Sequence, residues 1–259
     1  MSWLRDGWQV FDSDPDLRAW IAEIRPAALA ATRNPRNIDQ WLRCGGTWFA
    51  GVNLLENDAQ GRVAGSGPLI CAARSEAEKV TGRLPLDRGQ ISATYPGYPR
   101  PGGNDSPANF RFRRDRDAAH VDGLLPIGPD RRRHLREPHG WILGLPVTDC
   151  SDGAAPLVVW QGSHEIMARA FRKALAPHAA ADWPDIDLTD TYHAARREVF
   201  ATCKRIVLEG RPGQAHLLHR LSLHGIAPWS EGAAAPPEGR VVLYFRPELP
   251  DRTDWLALP

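Results

Sequence analysis

The chain has 259 residues, of which 42% are hydrophobic and 24% are charged, as is typical of a soluble globular protein. This composition excludes a disordered chain, a collagen-like repeat and a coiled coil. Lys and Arg number 32 and Asp and Glu number 31, so the formal net charge is +1. A charge this close to zero argues against the bulk binding of a polyanion such as nucleic acid.

Cysteine spacing and apolar runs exclude further classes of protein. The four cysteines include no C-x-x-C pair, so neither a zinc knuckle nor a thioredoxin-type site is predicted. The longest apolar runs are far shorter than the ~20 residues of a membrane-spanning helix. The first residues lack the apolar core of a signal peptide. We therefore expect a cytoplasmic protein with no membrane segment, and the sequence does not reveal its oligomeric state.

The first thirty residues are predicted to be helical. Ser13 or Asp14 can cap a helix, Pro15 suits its first position, and apolar residues follow at helical spacing. Pro26 is expected to end or kink this helix. A second, shorter helix is predicted over 75–82.

From about residue 89 the sequence favours strands. Short β-branched or aromatic runs alternate with Gly- and Pro-rich turns, as in a sandwich or barrel. Ser163 is expected to cap a helix that ends near residue 175, and another helix is predicted over 190–201. The predicted strands are 89–95, 108–114, 141–147, 156–160, 204–208, 214–219 and 240–246.

One triplet, His120-Val121-Asp122, has the form H-x-D/E. With nine histidines and 31 acidic residues in the chain, about one such triplet is expected by chance, so its context must decide its meaning. Residues i and i+2 of a strand face the same side, so this pair can bind one metal ion. A distant second histidine would complete a 2-His-1-carboxylate face, which suits non-haem Fe(II) with open positions.

The stretch 213–225 offers His216, His219 and His224 as the distant histidine. It reads G-Q-A-H-L-L-H-R-L-S-L-H-G and resembles the G-D-x-x-x-F-H-x-x-x-x-H-G segment of phytanoyl-CoA dioxygenase-like Fe(II)/2-oxoglutarate oxygenases. The resemblance implies that His224, which precedes the glycine, is the metal ligand. His219 corresponds to the earlier, non-ligand histidine, and Gln214 stands where an acid is usual.

Two more segments resemble this family in the expected order. His120-Val-Asp122-Gly123 resembles its H-x-D-G strand end, and 153–164 resembles its N-G-x-L-x-V-x-P-G-S-H segment, with Gln161 where Pro is usual. The resemblance covers roughly residues 85–250 and implies a double-stranded β-helix, or jelly roll.

These observations predict a mainly β fold with packed helices, of the α+β class, in one oxygenase domain over 1–259. Residues 1–85 are expected to form a helical N-terminal buttress. Residues 86–250 are expected to form the jelly-roll core, with a helical insert at about 163–201.

The family also places a basic residue after the distal histidine, where it pairs with the far carboxylate of 2-oxoglutarate. Arg240 opens a predicted strand and fits this role, because a guanidinium matches a carboxylate with two parallel hydrogen bonds. The gap from His224 to Arg240 is longer than is usual in the family, so Arg246, on the same side of the strand, is the fallback. Trp141 is a weaker candidate for a wall of the oxoglutarate pocket.

The resemblance implies Fe(II) as cofactor, bound by His120, Asp122 and His224, with 2-oxoglutarate and O2 as co-substrates. It implies hydroxylation of a small organic substrate with release of succinate and CO2. Arginines in 110–116 and 131–136 flank the H-x-D triplet, which motivates the hypothesis of an anionic substrate.

Three alternatives remain open. Nucleic-acid dealkylating dioxygenases also use H-x-D, a distal histidine and an R-x5-R pair, which Arg240 and Arg246 match, although the neutral charge makes nucleic acid a poor partner. A jelly-roll binding protein would keep the fold without the chemistry. A cupin would need no 2-oxoglutarate, but usually has more than one histidine in its first motif.

Overall fold

The computed structural model describes residues 2–103 and 105–259. The α-helices are α1 Ser2–Asp6, α2 Pro15–Arg33, α3 Pro35–Trp41, α4 Ala72–Thr81, α5 Pro107–Arg116, α6 Ser163–Leu175, α7 Thr189–Thr202 and α8 Asp254–Ala257, with a 3-10 helix at Ala180–Asp185. The strands are β1 Trp8–Phe11, β2 Leu42–Arg43, β3 Trp48–Gly51, β4 Gln90–Thr94, β5 Leu124–Ile127, β6 Arg132–Leu135, β7 Trp141–Pro146, β8 Leu157–Trp160, β9 Arg205–Leu208, β10 Ala215–His219, β11 His224–Ile226 and β12 Arg240–Phe245. Within the described residues, every helix is too short or too polar to span a bilayer.

Two antiparallel sheets form the core. The larger has seven strands in the order β1-β10-β7-β12-β4-β3-β2, and the smaller has three in the order β11-β8-β9. After β7 of the large sheet, the chain forms β8 and β9 in the small sheet. It then forms β10 in the large sheet, β11 in the small sheet and β12 in the large sheet. A separate hairpin joins β5 and β6.

The two sheets pack face to face, because alternate side chains from each form one buried cluster. Ile142 and Val242 come from the large sheet, and Leu157 and Val159 from the small one. In a strand, successive residues point to opposite faces, so the neighbours of these residues pack elsewhere. Trp141 and Leu143, for example, belong to the main core with buried residues of α2 and α6.

Helix α2 confirms the predicted cap, since the Asp14 carboxylate accepts hydrogen bonds from the Asp16 and Leu17 backbone N–H groups. The expectation that Pro26 might end this helix is wrong, because the helix continues to Arg33. Pro26 lies on the exposed side, so the carbonyl that loses its partner faces water. Burial of Ile24 and other apolar residues on the opposite side offsets the ~3 kcal/mol cost of an internal proline.

The predicted strand over 108–114 is wrong, because this segment forms α5. Ser106 caps the helix by accepting a hydrogen bond from the Asn109 N–H, and Pro107 occupies its first turn. This start signal outweighs the Phe/Arg alternation of four residues, 110–113. The helix over Ser163–Leu175 is confirmed, but Gly162 is its cap. The Ser163 hydroxyl instead accepts from the Leu223 N–H.

The segment before residue 86 is more than a set of helices. It holds α1 to α4, and it also contributes β1, β2 and β3 to the large sheet. Strand β1 pairs with β10, and β3 pairs with β4. Part of the wall around the site described below therefore comes from this segment.

Candidate metal centre

His120 and His224 form an isolated antiparallel bridge at the edge of the small sheet. The His120 N–H donates to the His224 carbonyl at 2.8 Å, and the His224 N–H donates to the His120 carbonyl at 3.0 Å. This pairing holds the two imidazole rings side by side, with centroids 4.6 Å apart. Two residues that are 104 positions apart in the sequence are thus fixed by their backbones before any ligand binds.

The glycines that follow the two motifs are required by close backbone contacts. A Cβ atom on Gly225 would lie 2.1 Å from the Asp117 carbonyl oxygen. A Cβ atom on Gly123, whose φ is +85°, would lie 2.2 Å from the Glu137 carbonyl oxygen. Only glycine fits both places without a backbone shift. The glycine in each motif therefore serves the packing that positions the neighbouring ligand.

Asp122 completes a cluster with the two histidines. One ligand atom from each of His120, Asp122 and His224 lies within 4.8 Å of the others. The Asp122 carboxylate is 3.2 Å from the His120 Nε2 and 3.8 Å from the His224 Nε2. Three adjacent ligands of one octahedral ion at ~2.1 Å would be about 3 Å apart. The cluster therefore fits a facial N,N,O site with small adjustments.

Both histidines present the correct nitrogen for a metal. The His120 Nδ1 is 3.0 Å from the Ala118 carbonyl, and the His224 Nδ1 is 3.0 Å from the Ser222 carbonyl. Because a carbonyl can only accept, each Nδ1 donates, which leaves Nε2 deprotonated and able to bind a metal. The His120 side chain is 49% exposed and that of His224 is 8% exposed, so the centre is open on the His120 side.

Arg246 supplies the positive charge next to the buried carboxylate. Its Nη1 is 3.4 Å from an Asp122 oxygen, and its backbone N–H donates to Asp87. Burial raises the pKa of Asp122, but the positive charge of Arg246 outweighs it and holds that pKa well below the usual range. Burial and the neighbouring His120 lower the pKa of His224 to about 4. Near neutral pH, the cluster therefore has one carboxylate and a neutral His224 imidazole.

A cavity of about 240 Å³ extends from this cluster into the space between the sheets. The large sheet supplies polar groups from Gln90, Ser92 and Tyr244, and β3 supplies Trp48. Arg246 lines the cavity near Asp122, whereas Arg240 is not among its lining residues.

A group of buried polar side chains lies farther along the same face of β12. Arg240, Val242 and Tyr244 alternate along the strand, and Val242 and Tyr244 belong to the cluster between the sheets. Thr94 lies opposite Arg240 in β4. Among the described residues, the Tyr244 hydroxyl and the Thr94 hydroxyl are buried without hydrogen-bond partners. No carboxylate of the described chain lies within 4 Å of Arg240, which is 7% exposed.

The structure places the other sequence candidates away from the cluster. Trp141 does not line the cavity, because its side chain lies on the opposite face of β7, while the next residue, Ile142, lines it. The interpretation of Trp141 as a pocket wall is therefore wrong. His216 is buried and donates from Nε2 to the Glu209 carbonyl. The His219 ring packs against His164 at 4.7 Å, and its Nδ1 accepts from the Leu221 N–H.

Sequence reasoning missed several lining residues. Tyr244 could have been found, because it lies at even spacing from Arg240 and Arg246 in a predicted strand. Trp48 and Ala50 carry no such signal, since they come from the segment that was expected to be helical.

Comparisons with known proteins find similarity only at the level of structure. No known protein-family profile matches the chain, and no curated protein matches it. The epimerase SnoN in complex with Fe3+, alpha ketoglutarate and nogalamycin RO is 15% identical, with a TM-score of 0.52 over 95% of this chain and 80% of SnoN. This likeness shows a shared fold.

Two other solved structures are also similar. The non-heme alpha ketoglutarate dependent carbocyclase SnoK from nogalamycin biosynthesis is 12% identical, with a TM-score of 0.48 over 97% of this chain and 85% of SnoK. EctD from S. alaskensis with bound Fe is 13% identical, with a TM-score of 0.43 over 95% of this chain and 74% of EctD.

Proposed function

We propose that this protein is a non-haem Fe(II)- and 2-oxoglutarate-dependent dioxygenase of the phytanoyl-CoA dioxygenase-like type. It hydroxylates a small organic substrate and releases succinate and CO2. The observation that carries this proposal is the convergence of His120, Asp122 and His224, with both Nε2 atoms free and directed to the same place as the carboxylate. SnoN, which shares the fold, was crystallised with Fe3+ and alpha ketoglutarate.

A double-stranded β-helix is the fold that we propose for the core. Supporting it, β4, β7, β10 and β12 are neighbours in the large sheet, while β8, β9 and β11 form the small sheet. The segment at His120 extends the small sheet through its bridge to β11. These eight segments are divided equally between two facing sheets, as in a jelly roll.

The residues present fit both Fe(II) and 2-oxoglutarate. His120, Asp122 and His224 would hold the metal, and the ion together with 2-oxoglutarate supplies the oxidising chemistry when bound. Arg246 neutralises and orients Asp122 through its 3.4 Å contact. The hydrophobic walls formed by Ile142, Leu157 and Ile226 exclude water from the reacting groups.

We assign the far carboxylate of 2-oxoglutarate to Arg240. The strand from Arg240 to Arg246 spans six residues, or about 20 Å. The two guanidinium groups can therefore reach toward opposite ends of a five-carbon diacid lying between them. A carboxylate there would also satisfy the orphaned hydroxyls of Thr94 and Tyr244 and would pair a buried arginine that has no carboxylate partner within the described chain. Arg246 is already engaged with Asp122.

One observation favours a second candidate function. Arg240 and Arg246 form the R-x5-R pair found in nucleic-acid dealkylating dioxygenases. Arg240 begins β12, and Arg246 directly follows the last residue of this strand and contacts Asp122. This alternative shares the cofactors and differs in substrate. Its partner would be a polyanion, so binding would weaken steeply as salt rises.

The test of the proposed function is iron-dependent conversion of 2-oxoglutarate to succinate. The purified protein should release succinate only when Fe(II), 2-oxoglutarate and O2 are all present, because slow uncoupled turnover needs no substrate. His224→Ala and Asp122→Ala should abolish this release. His178→Ala, at an exposed position outside the site, should retain it. Succinate release that is equal in wild type and His224→Ala would refute the proposal, and its complete absence from iron-loaded wild type would favour a binding protein.

A further inference from the structure

A second cavity, of about 460 Å³, adjoins the open side of the metal centre. His120 and Asp122 line it together with residues from α5, α7 and the β5–β6 hairpin. Arginines are frequent in its wall: Arg113, Arg131, Arg133, Arg196 and Arg246. A molecule in this cavity would contact the exposed His120 side of the centre.

Arg196 is held in this wall by aromatic rings. Its guanidinium carbon lies 4.6 Å from the centre of the Phe112 ring and 5.1 Å from the centre of the Tyr192 ring. Tyr192 and Arg196 are one helical turn apart on α7, and Phe112 approaches from α5. Stacking of this kind fixes the plane of the guanidinium and leaves its N–H edge available.

Arg133 and its neighbour Arg132 face opposite sides of strand β6. Arg132 forms ion pairs with Asp187 and Asp190. Arg133 faces the cavity, where its Nη1 donates to the Leu124 carbonyl at 3.0 Å. Arg131 lies in the hairpin turn, in the left-handed backbone region at φ 54°. The pairing of β6 with β5 directs alternate arginines to different partners.

Three of these arginines have no carboxylate partner within the described chain. Within the described chain, Arg131, Arg133 and Arg196 have no acidic side chain within 4 Å, whereas Arg113 pairs with Asp105 and Arg246 with Asp122. The remaining acid of the wall, Glu137, lies 3.2 Å from His139. Burial and the nearby Arg131 and Arg196 lower the pKa of Arg133. Three like charges are thus held together beside an open cavity.

We propose that Arg131, Arg133 and Arg196 bind a terminal anionic group of the substrate, a phosphate monoester or a carboxylate, and so direct the rest of the molecule toward the metal centre. This inference rests on the proposed function. Charge-assisted hydrogen bonds from guanidinium groups are the strongest contacts available for such a group. An anion there would also relieve the mutual repulsion of the three arginines.

The distribution of charge favours a small molecule over a nucleic acid. Two arginines beside this wall are neutralised, since Arg114 pairs with Asp115 and Arg132 with Asp187. The three arginines of the wall that have no carboxylate partner among the described residues line one concave cavity. A polyanion would need a longer track of unpaired basic residues.

The inference is tested by calorimetric titration of the full chain with phenyl phosphate, benzoate and the neutral benzyl alcohol. At least one anion should bind more tightly than the alcohol, and the tighter anion identifies the chemical source. Arg133→Gln and Arg196→Gln should each weaken that binding about tenfold or more. Arg131→Gln should also weaken anion binding. Because Arg131 is at an exposed turn position, this variant tests the effect where the fold is least perturbed. Arg132→Gln, with its side chain on the other face, and Arg240→Gln should bind the anion as wild type does.

Several outcomes would overturn the inference. Equal binding by all variants would do so, as would loss of binding only in Arg240→Gln, which would place the anion in the co-substrate site. Binding of a short single-stranded oligonucleotide without binding of either small anion would assign the cavity to a polyanion. Because the titration needs no iron, failure of anion binding in a protein that releases succinate would refute only this inference. Arginine-dependent binding in a protein that never releases succinate would refute only the proposed function.

Discussion

His120 and His224 exchange two backbone hydrogen bonds, at 2.8 and 3.0 Å, although they are far apart in the sequence. Each ring also donates from Nδ1 to the carbonyl two residues earlier, Ala118 or Ser222. The same local arrangement thus occurs twice and fixes both rings by backbone contacts. The position of the two candidate ligand rings is therefore set by backbone contacts of the fold.

Gly225→Ala should disturb this pairing. Its Cβ would lie 2.1 Å from the Asp117 carbonyl oxygen, so the backbone must shift, at a cost of about 1–3 kcal/mol in the free energy of unfolding. Fe(II) affinity should fall as the two rings move apart. Calorimetry and metal titration measure both effects. Gly67→Ala, at an exposed glycine with no atom within 4 Å of the added Cβ, is the control, and an equal response from both variants would contradict the explanation.

Asp117→Ala should destabilise the turn that leads to His120. The Asp117 carboxylate makes two contacts with Arg205, at 2.7 and 2.8 Å, and is 5% exposed. Loss of a bidentate, largely buried pair should lower the free energy of unfolding by about 2 kcal/mol, as measured by urea denaturation. The nearby exposed pair of Asp115 with Arg114 offers the control: Asp115→Ala should show no measurable change. If the two variants are equally stable, the pair does not hold the turn.

Tyr244→Phe should weaken the binding of 2-oxoglutarate without lowering the stability of the ligand-free protein. The Tyr244 hydroxyl is buried without a hydrogen-bond partner among the described residues, so its removal should leave the stability of the ligand-free protein unchanged or increase it. Affinity for 2-oxoglutarate should fall about tenfold, since one hydrogen bond to a carboxylate is lost. Thermal melting with and without 2-oxoglutarate and Fe(II) measures both quantities. Tyr95→Phe provides the control, and unchanged 2-oxoglutarate affinity in Tyr244→Phe would place the far carboxylate elsewhere.

The protein should lose stability in mild acid. Burial lowers the pKa of His216 to about 4, against about 6.5 in an unfolded chain. Between these values the unfolded chain binds a proton that the native protein does not. The contribution of neutral His216 to the free energy of unfolding is therefore complete above about pH 7 and decreases as the pH falls toward 4. It amounts to about 3 kcal/mol.

His216→Gln should flatten the dependence of the unfolding free energy on pH between 7 and 4. His178→Gln, at an exposed position, should keep the slope of the wild type. Urea titrations at several pH values decide the matter, and identical slopes for all three proteins would show that other groups cause the acid sensitivity.

Local sequence signals predicted much of the strand framework. Six predicted strands correspond closely to β4, β7, β8, β9, β10 and β12, because buried strands require β-branched and aromatic runs between turns. They are the strands predicted over 89–95, 141–147, 156–160, 204–208, 214–219 and 240–246. The three residues His120, Asp122 and His224 were singled out from motif spacing, and the structure brings them together. Whether they bind iron remains a prediction.

Other features depend on contacts that the sequence does not encode locally. Strands β1 to β3 are short and are held in place by pairing with β10 and β4, so no periodicity marks them. Helix α5 was mistaken for a strand because a run of alternating Phe and Arg fits either structure, and the decisive cap at Ser106 lies outside the run. Trp141 was a candidate for the pocket wall, but the register of β7, which is set by its neighbours β10 and β12, turns its side chain to the other face.

The central claim is tested most directly by anaerobic titration of the metal-free protein with Fe(II) and then 2-oxoglutarate, followed by visible spectroscopy. We predict a metal-to-ligand charge-transfer band in the wild type, its loss in His224→Ala, and a higher 2-oxoglutarate concentration for half-saturation in Arg240→Gln. A folded protein that binds no Fe(II), or a band that persists in His224→Ala, would contradict the assignment of His120, Asp122 and His224 as the metal centre.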